Sequence, residues 1–353
     1  MPLPLPSSLT PSKVSTFKEC ALAFRLSAID RLPEPPSEQS FKGTVVHRAL
    51  ELLLWEEEPG HRDQKAAFSK LDRALDELLT GPEGVQLALA GPRLDNFIAD
   101  AHSLLDNYLV LEDPNTVSVI GTELRLEVQV DGLRLRGIID RLELDGQGQL
   151  VVTDYKTGRA PTERQEQARL GGVHFYALLC QEVLGRRPAK VQLFHLREPI
   201  VIWSEPSDQS ITSLRRQAAA IWSAVRRACL LEDFRPRPGP LCDWCGYHAY
   251  CPAQGGALPL LPQTAQDAPA GAAAADVAPD HLASQPPLAI SLAPANQDRH
   301  VVATAHVDHA KALALAPGVA TDRHGPATAH VEPLHEPPAR HRALRRSSRP
   351  LLR

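Results

Sequence analysis

Two groups of residues have types and spacings that could do chemistry. The first is Asp140, Asp154 and Lys156, set in the stretch GIIDRLELDGQGQLVVTDYKTG at 137–158. β-rich flanks enclose Asp145-Gly146-Gln147-Gly148, which reads as a hairpin turn. A pairing centred on Gln147 sets Asp140 opposite Asp154, Leu142 opposite Val152 and Leu144 opposite Leu150, all on one face because side chains alternate along a strand. Lys156 follows on that face, about 6.6 Å beyond Asp154 by the strand rise. Two carboxylates opposed at about 5 Å between Cβ atoms repel each other, and here they continue an apolar face. A divalent cation between them turns the liability into a site, because hard cations take carboxylate oxygens. A one-residue slip in register would put the two aspartates on opposite faces. An Asp followed by Asp-x-Lys on the next strand is what metal-assisted phosphodiester cleavage requires. The carboxylates hold Mg²⁺ or Mn²⁺ as a Lewis acid, and the lysine orients water or offsets charge developing on the phosphate.

The second group is Cys242, Cys245 and Cys251. Closely spaced thiols suit zinc or an iron–sulfur cluster. Zinc could be held locally by Cys242, Cys245, His248 and Cys251, whereas a [4Fe-4S] cluster needs a fourth thiolate. Cys20 is the distant candidate for it and Cys229 the nearer one, while Cys180 reads as a buried helix residue.

The elements that must position these groups follow from periodicity. A helix is expected over 12–29, capped by Ser12, with Cys20 inside it, and is ended by Pro33, Pro35 and Pro36. Three more helices are expected near 40–57 (carrying His47), 62–80 and 92–111. Residues 117–130 alternate as a strand, and Asp131-Gly132 is a hairpin turn into 133–144, with 149–156 completing a three-strand meander. A helix near 162–185, a strand at 191–196 and a helix at 207–231 follow. This order predicts an α/β fold with a mixed sheet and helices on both faces.

Composition bounds the rest. The chain has 353 residues, 23% charged and 43% apolar, as expected of a globular protein. Net charge is −5 over residues 1–252 and +1 beyond, so the basic body typical of duplex binders is absent. Nucleic acid, if it is the partner, must be met by local patches or a metal. No apolar run is long enough for a membrane helix, and the N-terminus lacks the pattern of an export signal, so a cytoplasmic location is expected. No Walker A motif occurs, so a helicase motor would be a separate protein. The sequence from 253 to 353 is rich in Ala, Pro and His and is expected to be disordered. It contains a weak repeat, DRHVVATAHV at 298–307 and DRHGPATAHV at 322–331.

Gly43-Thr44-Val45-Val46-His47, Gly137-Ile138-Ile139-Asp140-Arg141 and Asp154-Tyr155-Lys156-Thr157-Gly158, in this order, resemble the RecB-family exonucleases of the PD-(D/E)XK nuclease superfamily. The resemblance covers residues 8–252 and implies a restriction-endonuclease-like αβββαβ core with added N-terminal helices. It implies catalysis by Asp140, Asp154 and Lys156, with His47, Asp140 and Asp154 around Mg²⁺ or Mn²⁺. Glu123 is a weaker candidate for an outer position around the metal or its water. The family's Gln before the Tyr of the following helix has no counterpart immediately upstream of Tyr176. Gln165 and Gln167 lie earlier, and Tyr176 itself is a candidate for facing DNA. A subset of the family ties one N-terminal cysteine to three C-terminal ones, which implies a [4Fe-4S] cluster at Cys20, Cys242, Cys245 and Cys251. The implied activity is exonucleolytic cleavage of single-stranded or end-processed DNA in repair or recombination. A CRISPR-adaptation-type nuclease and a non-catalytic DNA-binding module of the same fold are the alternatives.

Overall fold

The computed structural model describes residues 2–258 and the strands Val301–Val307 and His341–Ala343; for residues 163–169 and those two strands the backbone alone is described. The helix expected over 12–29 is broken into three pieces. The first, α1 (Pro11–Glu19), is capped by the Thr10 side chain rather than by Ser12, and Cys20 ends it in an extended conformation. A single turn, α2 (Ala21–Phe24), and a wide turn at Arg25–Ile29 complete the segment. Cys20 keeps its N–H on the Thr16 carbonyl and its own carbonyl on the Phe24 N–H, and its extended backbone turns the side chain toward the Arg237 segment.

A helical layer follows. In α3 (Glu38–Glu56) a reciprocal Ser37–Ser40 cap satisfies the first turn. Next come α4 (Gln64–Leu79), the short α5 (Pro82–Leu87) and α6 (Pro92–Leu111). The strands are β1 (Ser118–Val130), β2 (Leu133–Leu144) and β3 (Leu150–Lys156), then β4 (Lys190–His195) after α7 (Glu163–Leu184). A strand not anticipated from the sequence, β5 (Ile200–Ser204), pairs antiparallel with β4 before α8 (Asp208–Leu231). β1–β2–β3 is an antiparallel meander, and the α7 crossover makes β3–β4 parallel. The sheet is therefore mixed, as expected. Two segments from the later chain, β6 (Val301–Val307) and β7 (His341–Ala343), join its edges, giving the order β6-β1-β2-β3-β4-β5-β7. The rest of 259–353, including the second repeat copy, lies outside the described residues.

Each sheet face buries its own core. On one side Leu124, Leu126, Val128, Leu135, Ile139, Leu142 and Val152 pack with Val173, Phe175, Leu178 and Leu179 of α7 and Ile211, Leu214 and Val225 of α8. On the other, Phe41, Val45, Leu50 and Leu53 of α3 meet Leu71 of α4, Phe97 and Tyr108 of α6, and Tyr155 and Phe194 of the sheet. Alternation assigns each strand residue to a face, with one interruption. Ile139 and Leu142 both pack on the α7 side, while Arg141 contacts Tyr108 and Tyr155 on the other. The phase thus changes at Asp140. On β1 the residue beside it, Glu123, lies between the pairs Thr122↔Arg141 and Leu124↔Ile139 and has a left-handed φ of 47°. That conformation is costly outside glycine and recurs at functional sites.

Candidate active site

The site is built where this phase change meets the ends of α3 and β3. The β2–β3 register runs Arg141↔Thr153, Leu142↔Val152, Glu143↔Val151 and Leu144↔Leu150. This is the pairing centred on Gln147, and it brings the Asp140 and Asp154 segments side by side. α3 can lie against the end of β3 because residue 43 is glycine: a Cβ there would stand 3.2 Å from Thr157 Oγ1. One helical turn later His47 points over the strand ends.

His47 Nδ1 lies 3.5 Å from Asp140 Oδ2 and 3.9 Å from Glu123 Oε1. His47, Glu123 and Asp140 each offer one donor atom within 4.8 Å of the others'. One imidazole nitrogen and two carboxylate oxygens at this spacing suit a hard or borderline divalent cation. Asp154 is 4% exposed. Its carboxyl is pushed up to about 6, first by burial and then by the neighbouring Asp140 charge, partly offset by Lys156. Lys156 folds back to pair with Asp154 Oδ2 and remains half-exposed. The Glu123 carboxyl is held well above the usual range by burial, then by Asp140, Glu51 and Asp154. Carboxyls that resist ionisation together mark a place where added positive charge is stabilising.

Tyr176 reaches the same region from α7: a Cβ on Gly137 of β2 would meet its ring at 3.1 Å, and its hydroxyl is raised by burial and by Asp154, Asp140 and Glu123. The side chains of Gln165 and Gln167 lie outside the described residues. Glu123, weighed from the sequence as an outer residue, is instead one of the three donors that converge. A signal for it existed: the Asp131-Gly132 turn pairs Val130 with Leu133, and the same centring puts Glu123 beside Asp140.

Two residues inside the motifs, Arg141 and Tyr155, gain a role only from the structure. Arg141 is fully buried. It grips Glu112 at the end of α6, pairs with Glu143 at 2.7 Å through Nε, and donates to the Tyr155 hydroxyl at 2.9 Å. The Tyr155 backbone N–H donates to Asp140 Oδ2 at 2.8 Å, and its carbonyl lies 3.1 Å from His47 Nε2.

A second site is built from other residues. Cys20, Cys242, Cys245 and Cys251 line one cavity of about 650 Å³, together with His248. The backbone N–H groups of Arg237 and Gly239 donate to the sulfurs of Cys20 and Cys242. Cys245 also accepts from backbone near Tyr247. Such donors suit thiolates bound to a metal. Tetrahedral zinc would hold its sulfurs within about 3.8 Å of one another, from Zn–S bonds of about 2.3 Å. Among the described residues no three of these cysteine and histidine donors come within 4.8 Å of one another. Cys229 stands apart, its thiol directed to the Pro4 carbonyl at 3.7 Å, and Cys180 is buried in the α7 core.

Among the described residues no helix is long and apolar enough to cross a membrane. Two solved structures are similar in part. A candidate exonuclease from Eubacterium rectale is 10% identical with a TM-score of 0.43, covering 67% of this chain and 86% of that one. SSO0001 is 16% identical with a TM-score of 0.29, covering 69% and 95%. No match was found among curated proteins. The family model of the PD-(D/E)XK nuclease superfamily matches residues 8–252. With two thirds of its length matched and a strand-borne Asp/Asp-x-Lys set in the fold described above, the chain belongs to the PD-(D/E)XK nuclease superfamily.

Proposed function

We propose that the protein is a metal-dependent deoxyribonuclease that hydrolyses DNA phosphodiesters, acting from the ends of single-stranded or processed DNA. The observation that carries this reading is the convergence of His47, Glu123 and Asp140 donors beside the buried Asp154–Lys156 pair. Mg²⁺ or Mn²⁺ bound there would supply Lewis-acid polarisation of the phosphate and a lowered pKa for attacking water. His47 Nδ1, Asp140 and Glu123 are its holders, with Asp154 beside them. Lys156, anchored by Asp154 and half-exposed, places its ammonium where negative charge builds on the phosphoryl oxygens. Tyr176 offers a ring to the substrate strand on the α7 side. Repair or recombination is the setting this chemistry fits, with any unwinding done by a separate helicase.

At the cysteine site the reading is a [4Fe-4S] cluster held by Cys20, Cys242, Cys245 and Cys251, with a structural role. Cys20, a fourth thiol lining the same cavity as the other three, favours it over zinc on Cys242, Cys245, His248 and Cys251.

End-labelled DNA incubated with Mn²⁺ and either the wild-type protein or Asp154→Asn tests the catalytic reading. Loss of about 10³-fold or more in rate is expected of the variant, on the scale of removing a central electrostatic group. Equal degradation by both would overturn the reading, as would none by the wild type. Anaerobically purified protein should be brown with iron bound; a colourless zinc-loaded preparation would replace the cluster assignment.

A further inference from the structure

We infer that Arg141 and Tyr155 form a buried clamp that presets the metal-binding faces of His47 and Asp140, making both of them positioning residues. The inference rests on the nuclease reading above and goes beyond it, because neither side chain reaches the cation's place.

The clamp begins on the side of the sheet away from Asp154. Arg141, at 0% exposure, has each arm of its guanidinium on a named partner. Nη1 and Nη2 fork onto Glu112, Nε meets Glu143 at 2.7 Å, and Nη2 donates to Thr153 Oγ1 at 3.2 Å. Nη1 also donates to the Tyr155 hydroxyl at 2.9 Å, with the guanidinium carbon 5.6 Å from the Tyr155 ring centroid. One side chain thereby ties α6, β2 and β3 together. The tie falls at the residues that immediately follow Asp140 and flank Asp154.

Tyr155 passes this rigidity to the site through its peptide groups. Its N–H donates to Asp140 Oδ2 at 2.8 Å and so fixes the carboxylate's rotation. Its carbonyl lies 3.1 Å from His47 Nε2, and the rings of His47 and Tyr155 meet edge to face at 5.9 Å. A carbonyl oxygen only accepts, so Nε2 carries the hydrogen. With Nε2 so occupied, Nδ1 is the nitrogen the ring turns to the space shared with Asp140 and Glu123. Holding a ligand histidine by its other nitrogen fixes both tautomer and ring plane. Here the holder is a backbone carbonyl, and what immobilises it is an arginine buried on the α3 side of the sheet.

The test uses the full chain with Tyr155→Phe, which keeps the ring and removes the hydroxyl, and Arg141→Lys, which keeps the charge and removes the fork. Nitrogen-15 histidine spectra of metal-free protein, assigned against His47→Gln, should show the Nε2–H form in the wild type. Both variants should mix it with the other tautomer. Mn²⁺ titration followed by electron paramagnetic resonance should show the dissociation constant rising about 10- to 100-fold, with DNA hydrolysis recovering as Mn²⁺ is raised. Wild-type Mn²⁺ affinity in a folded Tyr155→Phe, or an Nδ1–H wild-type His47, would overturn the inference while leaving the nuclease reading intact. If Arg141→Lys does not fold, Tyr155→Phe decides alone. A wild type that binds no Mn²⁺ would remove the nuclease reading and this inference together.

Discussion

Asp154 shows how burial sets the chemistry of a single residue. Its carboxyl titrates near 6 in the folded chain, against an ordinary 3.8, because burial and Asp140 disfavour the charge. The folded state therefore holds a proton that the unfolded state has released over this interval. The stabilisation is full below about pH 4 and is lost as pH rises through 6. Urea unfolding of metal-free protein should show stability falling across that window, and Asp154→Asn should flatten the fall. With metal present the proton competes with the cation, so Mn²⁺ affinity and hydrolysis should both weaken below pH 6, as read from a pH–rate profile. At this scale Asp140, Asp154, Lys156 and His47 were legible because their spacing is local or matches a family pattern. Glu123 was legible only in part, since its place depends on a left-handed backbone step that its own type does not announce. Arg141 was not, because Glu112 lies 29 residues away.

Between elements, the tightest requirement is the packing of α7 on β2. A Cβ on Gly137 would stand 2.6 Å from Leu179 Cδ1 and 3.1 Å from the Tyr176 ring. Gly137→Ala should push α7 outward and cost about 1–3 kcal/mol, the usual range for overpacking, measured by chemical denaturation. Because Tyr176 is displaced with α7, a rise in KM for DNA beyond any loss of fold would mark its contact with substrate. The hairpin and crossover helix were legible from alternation and turn chemistry. The break of the first helix at Cys20 was not, since Lys18-Glu19-Cys20-Ala21 carries no proline or glycine to announce it. β5 escaped notice because it is a five-residue strand at the sheet's margin.

At the scale of the whole molecule, the cysteine cavity joins residue 20 to residues 242–251 and so closes the domain on itself. A covalent tie around a loop of this length restricts the unfolded chain by up to about 5 kcal/mol. Cys20→Ser should therefore lower the melting temperature and bleach any absorption near 400 nm while leaving Mn²⁺ affinity at the carboxylate site unchanged. A cluster on these four cysteines, as proposed, would also set how the domain meets mechanical force. Leu3 donates to the Cys229 carbonyl at 3.0 Å, and Arg237 reaches Lys18 and Cys20, so the first segment of the chain lies beside the one that follows α8. Tension applied through those two segments would be carried between neighbours, across the cysteines, before it loaded β2 or β3. Force entering through those two segments would thus pass through the cysteine end while the carboxylates stay still.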